Sequence, residues 1–290
     1  MMADPISILI PAHNEEACIG TVVEAVRAAM TGREVEILVI DDGSTDTTAK
    51  EARQAGAAVL SSPVRRGYGA SLKAGIRHAR HDWIVTLDGD GQHDPHALPG
   101  LLERLEEGYA MVIGARDPAS FQYKTRMPGK QVLQWFALYL VGEKPRDVNS
   151  GLRVFKKEIA LGYFPILPNG FSFSTTITLA MIKDAFRIGW VPIQTSPRLG
   201  RKSNVSLIRD GGRSAMLIIR IAVLFNPLKV FLPMSLLLFG LGLVYAFLNL
   251  LREFNIPDGA TLCMLSGVIV FFFGVLADQL ASIRQSPPGR

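Results

Sequence analysis

WIVTLDGDGQHDP, residues 83–95, joins a short apolar run to a cluster of carboxylates. Trp83 to Leu87 has the pattern of a strand covered on both faces. Asp94-Pro95 supplies an N-cap acid and a first-turn proline, so a helix starts there. Asp88 to His93 then form the loop at the C-terminal end of a strand, where open α/β sheets bind ligands. A polar turn that happens to be acidic fits the composition. Carboxylates crowded at a strand end also repel one another unless a cation lies between them, and such oxygen ligands suit a divalent metal.

The same rhythm runs outward from this stretch. Residues 6–12, 35–43, 57–62 and 110–116 read as strands beside 83–90, and 15–30, 47–56, 68–80 and 95–108 as the helices between them. Further helix is expected at 129–141 and 175–187, and strand at 153–155 and 190–195. Alternation of this kind implies a mostly parallel sheet with right-handed crossovers. A dinucleotide fingerprint is not met. Gly67-Tyr68-Gly69 would need a third glycine where Leu72 stands, and the first strand ends in Pro11-Ala12-His13-Asn14-Glu15 without a glycine-rich turn. A P-loop is absent as well.

Charge is divided along the chain. Residues 1–115 hold 10 Lys/Arg against 17 Asp/Glu, whereas residues 116–220 hold 17 against 6. The acidic half suits a metal, and the basic half suits phosphates or an anionic membrane surface. No nucleic-acid-binding pattern stands out, so nucleic acid is not an expected partner. Cys18 and Cys263 lie in unlike surroundings, which argues against a disulfide and for a reducing, cytoplasmic setting. The N-terminus lacks the basic start and apolar core of a signal peptide.

Val230–Leu251 and Gly259–Ala277 are uncharged runs of 22 and 19 residues, each long enough to cross the ~30 Å hydrocarbon core. A short connector with Pro257 makes them a helical hairpin. Lys and Arg concentrate outside it, so both ends are expected on the cytoplasmic side. In the segment before it, Arg209, Arg213 and Arg220 share one helical face, as in a helix lying in the membrane interface. The expected organisation is a cytoplasmic domain over 1–204, a juxtamembrane amphipathic segment over 205–227, a transmembrane hairpin over 228–284 and a tail over 285–290. Gly242 and Ala246, four apart, allow close packing of spans, and self-association into a homo-oligomer is compatible with that.

Asp41-Asp42-Gly43-Ser44 after the second strand, Asp88-Gly89-Asp90 after the fourth and the hairpin together resemble family 2 glycosyltransferases. Within these the resemblance is to polyprenyl-phosphate enzymes of the dolichol-phosphate mannose synthase-like group. It implies a GT-A nucleotide-sugar-binding fold, a nucleotide-sugar donor, a polyprenyl phosphate acceptor and a lipid bilayer as partners, and Mg²⁺ or Mn²⁺ as cofactor. By this resemblance Pro11, His13, Glu15, Asp42, Gly69, Asp88 and Gly89 contact the donor. Asp90 and Gln92 ligate the metal, and Gln92 with His93 favours Mn²⁺ slightly. Zinc between His93 and His96 is not favoured, because a diphosphate calls for a hard ion shared with carboxylates.

In the basic half, Arg116, Arg126 and Lys130 correspond to residues that hold the lipid phosphate. Asp147-Val148-Asn149-Ser150-Gly151-Leu152-Arg153 resembles the family's Asp-x-x-Ser-Gly-x-Arg signature near the reacting centre, which adds Ser150 and Arg153 to the acceptor set. Arg198, Arg201 and Lys202 lie in a loop similar to the one that closes over the donor diphosphate, with the gripping residue left open. The catalytic set implied is Asp88, Asp90, Asp147 and Arg116. The implied reaction is inverting transfer of one sugar. A processive polysaccharide synthase or a non-catalytic membrane-anchored scaffold are the alternatives. Two spans are too few for a polymer channel, and the intact Asp88/Asp90 pair argues against a scaffold.

Overall fold

The structure is a computed structural model that describes residues 4–117, 138–139, 146–196, 223 and 226–285. The chain divides into two compact units, Met1–Gly211 and Gly212–Arg290.

The first unit is built on one sheet of β1 (Ile6–Ala12), β2 (Val35–Asp41), β3 (Ala58–Ser61), β4 (Trp83–Thr86), β5 (Met111–Arg116), β6 (Arg153–Lys156) and β7 (Ile188–Ile193). Their order is β3-β2-β1-β4-β6-β5-β7. All pairings are parallel except those of β6, which runs antiparallel to both β4 and β5. The helices are α1 (Ile19–Ala29), α2 (Thr48–Gln54), α3 (Tyr68–His78), α4 (Leu98–Glu106), α5 (Lys157–Gly162) and α6 (Phe173–Lys183).

Side-chain alternation along β1 creates two cores. Ile6, Ile8 and Ile10 pack with Val22, Val23 and Val26 of α1 and with Leu98, Leu101, Leu102 and Leu105 of α4. Leu9 points the other way, toward Leu72 and Ile76 of α3 and Phe173, Ile177 and Met181 of α6. The leucines of α4 recur at i, i+3, i+4 and i+7, a single apolar stripe. Each such side chain stabilises the fold by roughly 1.5–3 kcal/mol when fully buried.

The expected mostly parallel sheet is present, with differences at the element ends. Helix α1 begins at Ile19 rather than residue 15. Asn14 takes a left-handed φ of 55° and the Glu15 N–H donates to Thr48 Oγ1 at 2.9 Å, so this stretch forms a loop against α2. Asp94 caps the turn at Pro95–Ala97 by accepting from the His96 N–H at 2.9 Å. Helix α5 was not expected, because six residues carry too little periodicity. Helix α6 stops at Lys183, where Ala185 takes a left-handed φ of 59°. The helix expected at 129–141 and the juxtamembrane segment lie almost wholly outside the described residues.

In the second unit, α7 (Leu228–Glu253) and α8 (Asp258–Gln285) pack side by side. Stretches of 25 and 26 residues within them are apolar enough to cross a membrane. A Cβ at Gly242 would lie 2.9 Å from Ala260 O, and one at Gly267 2.9 Å from Phe239 N. The small residues therefore let these two helices approach each other, and Ala246, expected to serve close packing, is buried with Ala260. Outward, Leu236, Leu237, Phe247, Leu262, Phe272 and Phe273 are each 60–68 % exposed. An apolar surface of this extent calls for lipid or protein around it.

Candidate active site

Because β1, β2, β4 and β5 run the same way, their C-terminal tips share one edge of the sheet. These tips carry His13-Asn14-Glu15, Asp42, Asp88-Gly89-Asp90 and Arg116. Strand β6 pairs Arg153 with Thr86 in the opposite direction, so the loop before it, Asp147–Leu152, arrives at that same edge. One reversed strand thus joins the acidic half of the sequence to the signature in the basic half.

On the β1–β2 side, Asp42 accepts from the N–H groups of Arg66 at 2.6 Å and Gly67 at 2.9 Å. These bonds fix the turn that starts α3, where Gly67 has φ 102°, a conformation open to glycine but strained for other residues. Gly69 was expected beside the donor. It is buried, and a Cβ there would run into the carbonyls of Pro168 and Gly170, so glycine is needed where α3 packs on that loop. His13 is half-buried, and its Nδ1 is buried without a hydrogen-bond partner. Pro11 is buried, and Glu15 is 8 % exposed. The Cys18 thiol donates to Gly89 O at 3.2 Å, tying α1 to the Asp88–Asp90 turn.

Asp88 is held from three directions. Tyr68 Oη donates to its Oδ1 at 2.9 Å, and His93 Nε2 stands 3.6 Å from Oδ2. On the third side is Gly151, where a Cβ would overlap the carboxylate, so only glycine fits. Burial pushes the Asp88 carboxyl up, but the neighbouring His93, the Tyr68 hydroxyl and Arg153 outweigh it, and its pKa falls below the ordinary value. Asp90 Oδ1 accepts from the Gln92 N–H at 3.2 Å, and both residues are only half-buried. Among the described residues, no three His, Cys, Asp or Glu side chains converge as a metal cage.

The loop before β6 is different in kind. Arg116 grips Asp147 with two donors, Nε to Oδ2 at 2.7 Å and Nη2 to Oδ1 at 2.9 Å. Asp147 is 2 % exposed. Both of its oxygens are therefore occupied. Arg153, expected at the acceptor phosphate, is wholly buried. Its Nε and Nη2 donate to Ser150 O, Nη2 also to Val148 O, and Nη1 to Ser174 O and Thr178 Oγ1. A guanidinium has five N–H donors, and all are spent inside the protein. Ser150 is likewise buried, accepting from the Leu152 N–H at 3.3 Å. In this arrangement the bonds of Arg153 and Ser150 hold the loop's shape. Arg126, Lys130, Arg198, Arg201 and Lys202 lie outside the described residues.

Sequence reasoning missed Tyr68, whose hydroxyl reaches Asp88, and Thr86, whose hydroxyl donates to Gly151 O at 2.7 Å. Their only signal was polarity beside an otherwise ordinary helix start or strand.

Comparison with known proteins agrees with this architecture. The pattern of glycosyl transferase family 2 matches residues 7–166, and that of the GtrB C-terminal hairpin matches residues 226–283. The chain is 30% identical to glycosyltransferase AglJ of Haloferax volcanii, over 97% of this chain and 95% of that one. It is 33% identical to the undecaprenyl-phosphate 4-deoxy-4-formamido-L-arabinose transferase of Pseudomonas paraeruginosa, over 58% of this chain and about half (55%) of that one. Among solved structures, glucosyl-3-phosphoglycerate synthase from Mycobacterium tuberculosis, in complex with Mn²⁺, UDP and glucosyl-3-phosphoglycerate, superposes with TM-score 0.61. The identity there is 25%, over 76% of this chain and 79% of that one.

Proposed function

The chain belongs to glycosyl transferase family 2, and from that premise we propose that it moves one sugar from a nucleotide-sugar to polyprenyl phosphate. The donor is GDP-mannose or a UDP-sugar, and the product is a polyprenyl-phosphate-linked monosaccharide formed with inversion at the anomeric carbon. The observation that carries this reading is a conjunction in one chain. The edge bearing Asp42, Asp88 and Asp90 is followed by a hairpin of the GtrB type.

The chemistry follows from which groups are engaged. The acceptor's phosphate oxygen attacks the anomeric carbon, and the bond to the nucleoside diphosphate breaks. A phosphate monoester has a second pKa of about 6, so the nucleophile is largely ionised near neutrality and no strong base is required. Asp147 fits that requirement, because both its oxygens accept from Arg116. Its role is to aim Arg116, a positioning role, while Arg116 itself faces the acceptor phosphate together with Arg126 and Lys130. Asp42, Glu15 and His13 surround the nucleoside, and Arg198, Arg201 or Lys202 grips the diphosphate.

Asp90 and Gln92 offer half-buried oxygen donors on one turn, which fits an ion held by one carboxylate and completed by substrate phosphates and water rather than by a protein cage. Bound there, Mg²⁺ or Mn²⁺ supplies positive charge for the leaving diphosphate. The catalytic unit lies at the cytoplasmic face of the cytoplasmic membrane, a reading supported by Lys229 before the first uncharged run and Arg284 after the second.

The test uses the full chain in vesicles with undecaprenyl or dolichyl phosphate, Mn²⁺ and a panel of UDP- and GDP-sugars. Lipid mass should rise by one sugar with one donor. A ladder of masses would show a polymerase, and no rise with any donor would refute transfer to these lipids.

A further inference from the structure

We infer that Tyr68 is a positioning residue of this site, its hydroxyl setting the orientation of Asp88 and its ring held in place by Phe171. The inference rests on the proposed function only in taking Asp88 to be a donor-side group. Tyr68 is the first residue of α3, immediately after Gly67, and the turn there is fixed by the Arg66 and Gly67 N–H groups donating to Asp42. That anchor aims the phenol across to β4, where Oη donates to Asp88 Oδ1 at 2.9 Å.

Of the three restraints on Asp88, Tyr68 alone is a well-formed hydrogen bond. The His93 contact is 3.6 Å, a charge contact beyond hydrogen-bond length, and Gly151 contributes only space. Without the hydroxyl, Asp88 keeps its pocket but loses what sets its rotation. Burial, with Asp88 nearby, pushes the Tyr68 phenol well above its ordinary value, so it remains a protonated donor.

Phe171 explains how the phenol holds its aim. Its ring stacks on Tyr68 with centroids 5.8 Å apart and planes 19° from parallel, although Phe171 is itself 77 % exposed. It follows Pro168-Asn169-Gly170, whose backbone is docked on α3 by the Ala70 N–H donating to Asn169 O at 3.1 Å. The loop before α6 therefore bears on the first carboxylate through one aromatic pair. A ring this exposed has little other packing to serve.

The decisive experiment is a double-mutant cycle on the full chain, read by binding of UDP and of GDP with Mn²⁺, alongside melting temperature. Tyr68→Phe keeps the stack and removes the donor. It should weaken nucleotide binding about tenfold, the scale of a hydrogen bond to a charged group, with the melting temperature unchanged. Combined with Asp88→Asn it should cost no more than Asp88→Asn alone, because the hydroxyl acts through that carboxylate. Phe171→Leu should retain most binding and Phe171→Ala lose part of it. Equal nucleotide binding by wild type and Tyr68→Phe overturns the inference alone. Additive losses overturn it too, since Tyr68 would then act independently of Asp88. Failure of wild type to bind either nucleotide overturns both this inference and the functional reading beneath it.

Discussion

Two loops meet at the edge of the sheet, and they treat their charges in opposite ways. In the Asp88–Gln92 turn, Asp88, Asp90 and Gln92 are only half-buried. In the Asp147–Arg153 loop, Asp147, Ser150 and Arg153 are buried, and the guanidinium spends every donor on the protein itself. Both stretches look equally polar as sequence. The difference is in satisfaction: a polar group already bonded in the interior shapes the site, and one left at the surface can bind. The second loop is the mould against which the first is set, through Gly151 beneath Asp88.

The comparison breaks most readily at Arg153. Arg153→Met removes the arginine donors from the carbonyls of Ser150 and Val148 in the interior, at about 1–3 kcal/mol for each buried group left unpaired, while Ser174 O keeps the Thr178 hydroxyl. The first unit should lose several kcal/mol in urea denaturation. A midpoint equal to wild type would mean the arginine is not the loop's support and is available to a ligand after all. Gly151→Ala is a sharper probe and a smaller one. Its methyl must displace Asp88, so transfer should fall by an order of magnitude or more, while overpacking costs about 1–3 kcal/mol. Unchanged transfer would show that the position of Asp88 is immaterial.

The smallest effect is one of pH at Asp46. Burial, the largest single influence, raises its pKa, but bonds from the Thr48 hydroxyl and N–H and from the Glu16 N–H together outweigh it, and the folded value is lowered. A lowered folded pKa means that its contribution is present above the unfolded value near 3.9 and is lost as pH falls through the folded value. Because the group is only half-buried and solvent screens it, the contribution should be well under 1 kcal/mol. Asp46→Asn should flatten the stability profile slightly between about pH 5 and 3; an identical slope would remove Asp46 from the account.

Much of the fold was legible because it rests on local pattern. Five strands and four helices of the first half follow from alternation and punctuation, and the hairpin from two uncharged runs. What stayed hidden was direction and satisfaction. Nothing in Arg-Val-Phe-Lys at 153–156 says that the strand runs against its neighbours, because register and direction are decided by partners far away in sequence. The signature Asp-x-x-Ser-Gly-x-Arg announced importance without saying that Arg153 faces inward, since burial depends on α6 supplying Ser174 O and Thr178 Oγ1. Gly69 was no easier to read: a glycine beside a binding loop can be needed for a ligand or for a neighbouring carbonyl, and a Cβ here would meet Pro168 O.

The central claim is that the half-buried carboxylates of the Asp88–Asp90 turn handle the substrate, whereas the buried Asp147 holds its loop in shape. It is tested most directly by measuring melting temperature and sugar transfer together on Asp90→Asn and Asp147→Asn. Asp90→Asn should melt with wild type and lose transfer by at least a hundredfold at any Mn²⁺ concentration. Asp147→Asn weakens a buried pair with Arg116, a disruption that costs up to about 3–5 kcal/mol, and its melting temperature should fall by several degrees. Full transfer in Asp90→Asn, or an unchanged melting temperature in Asp147→Asn, would contradict the division of labour.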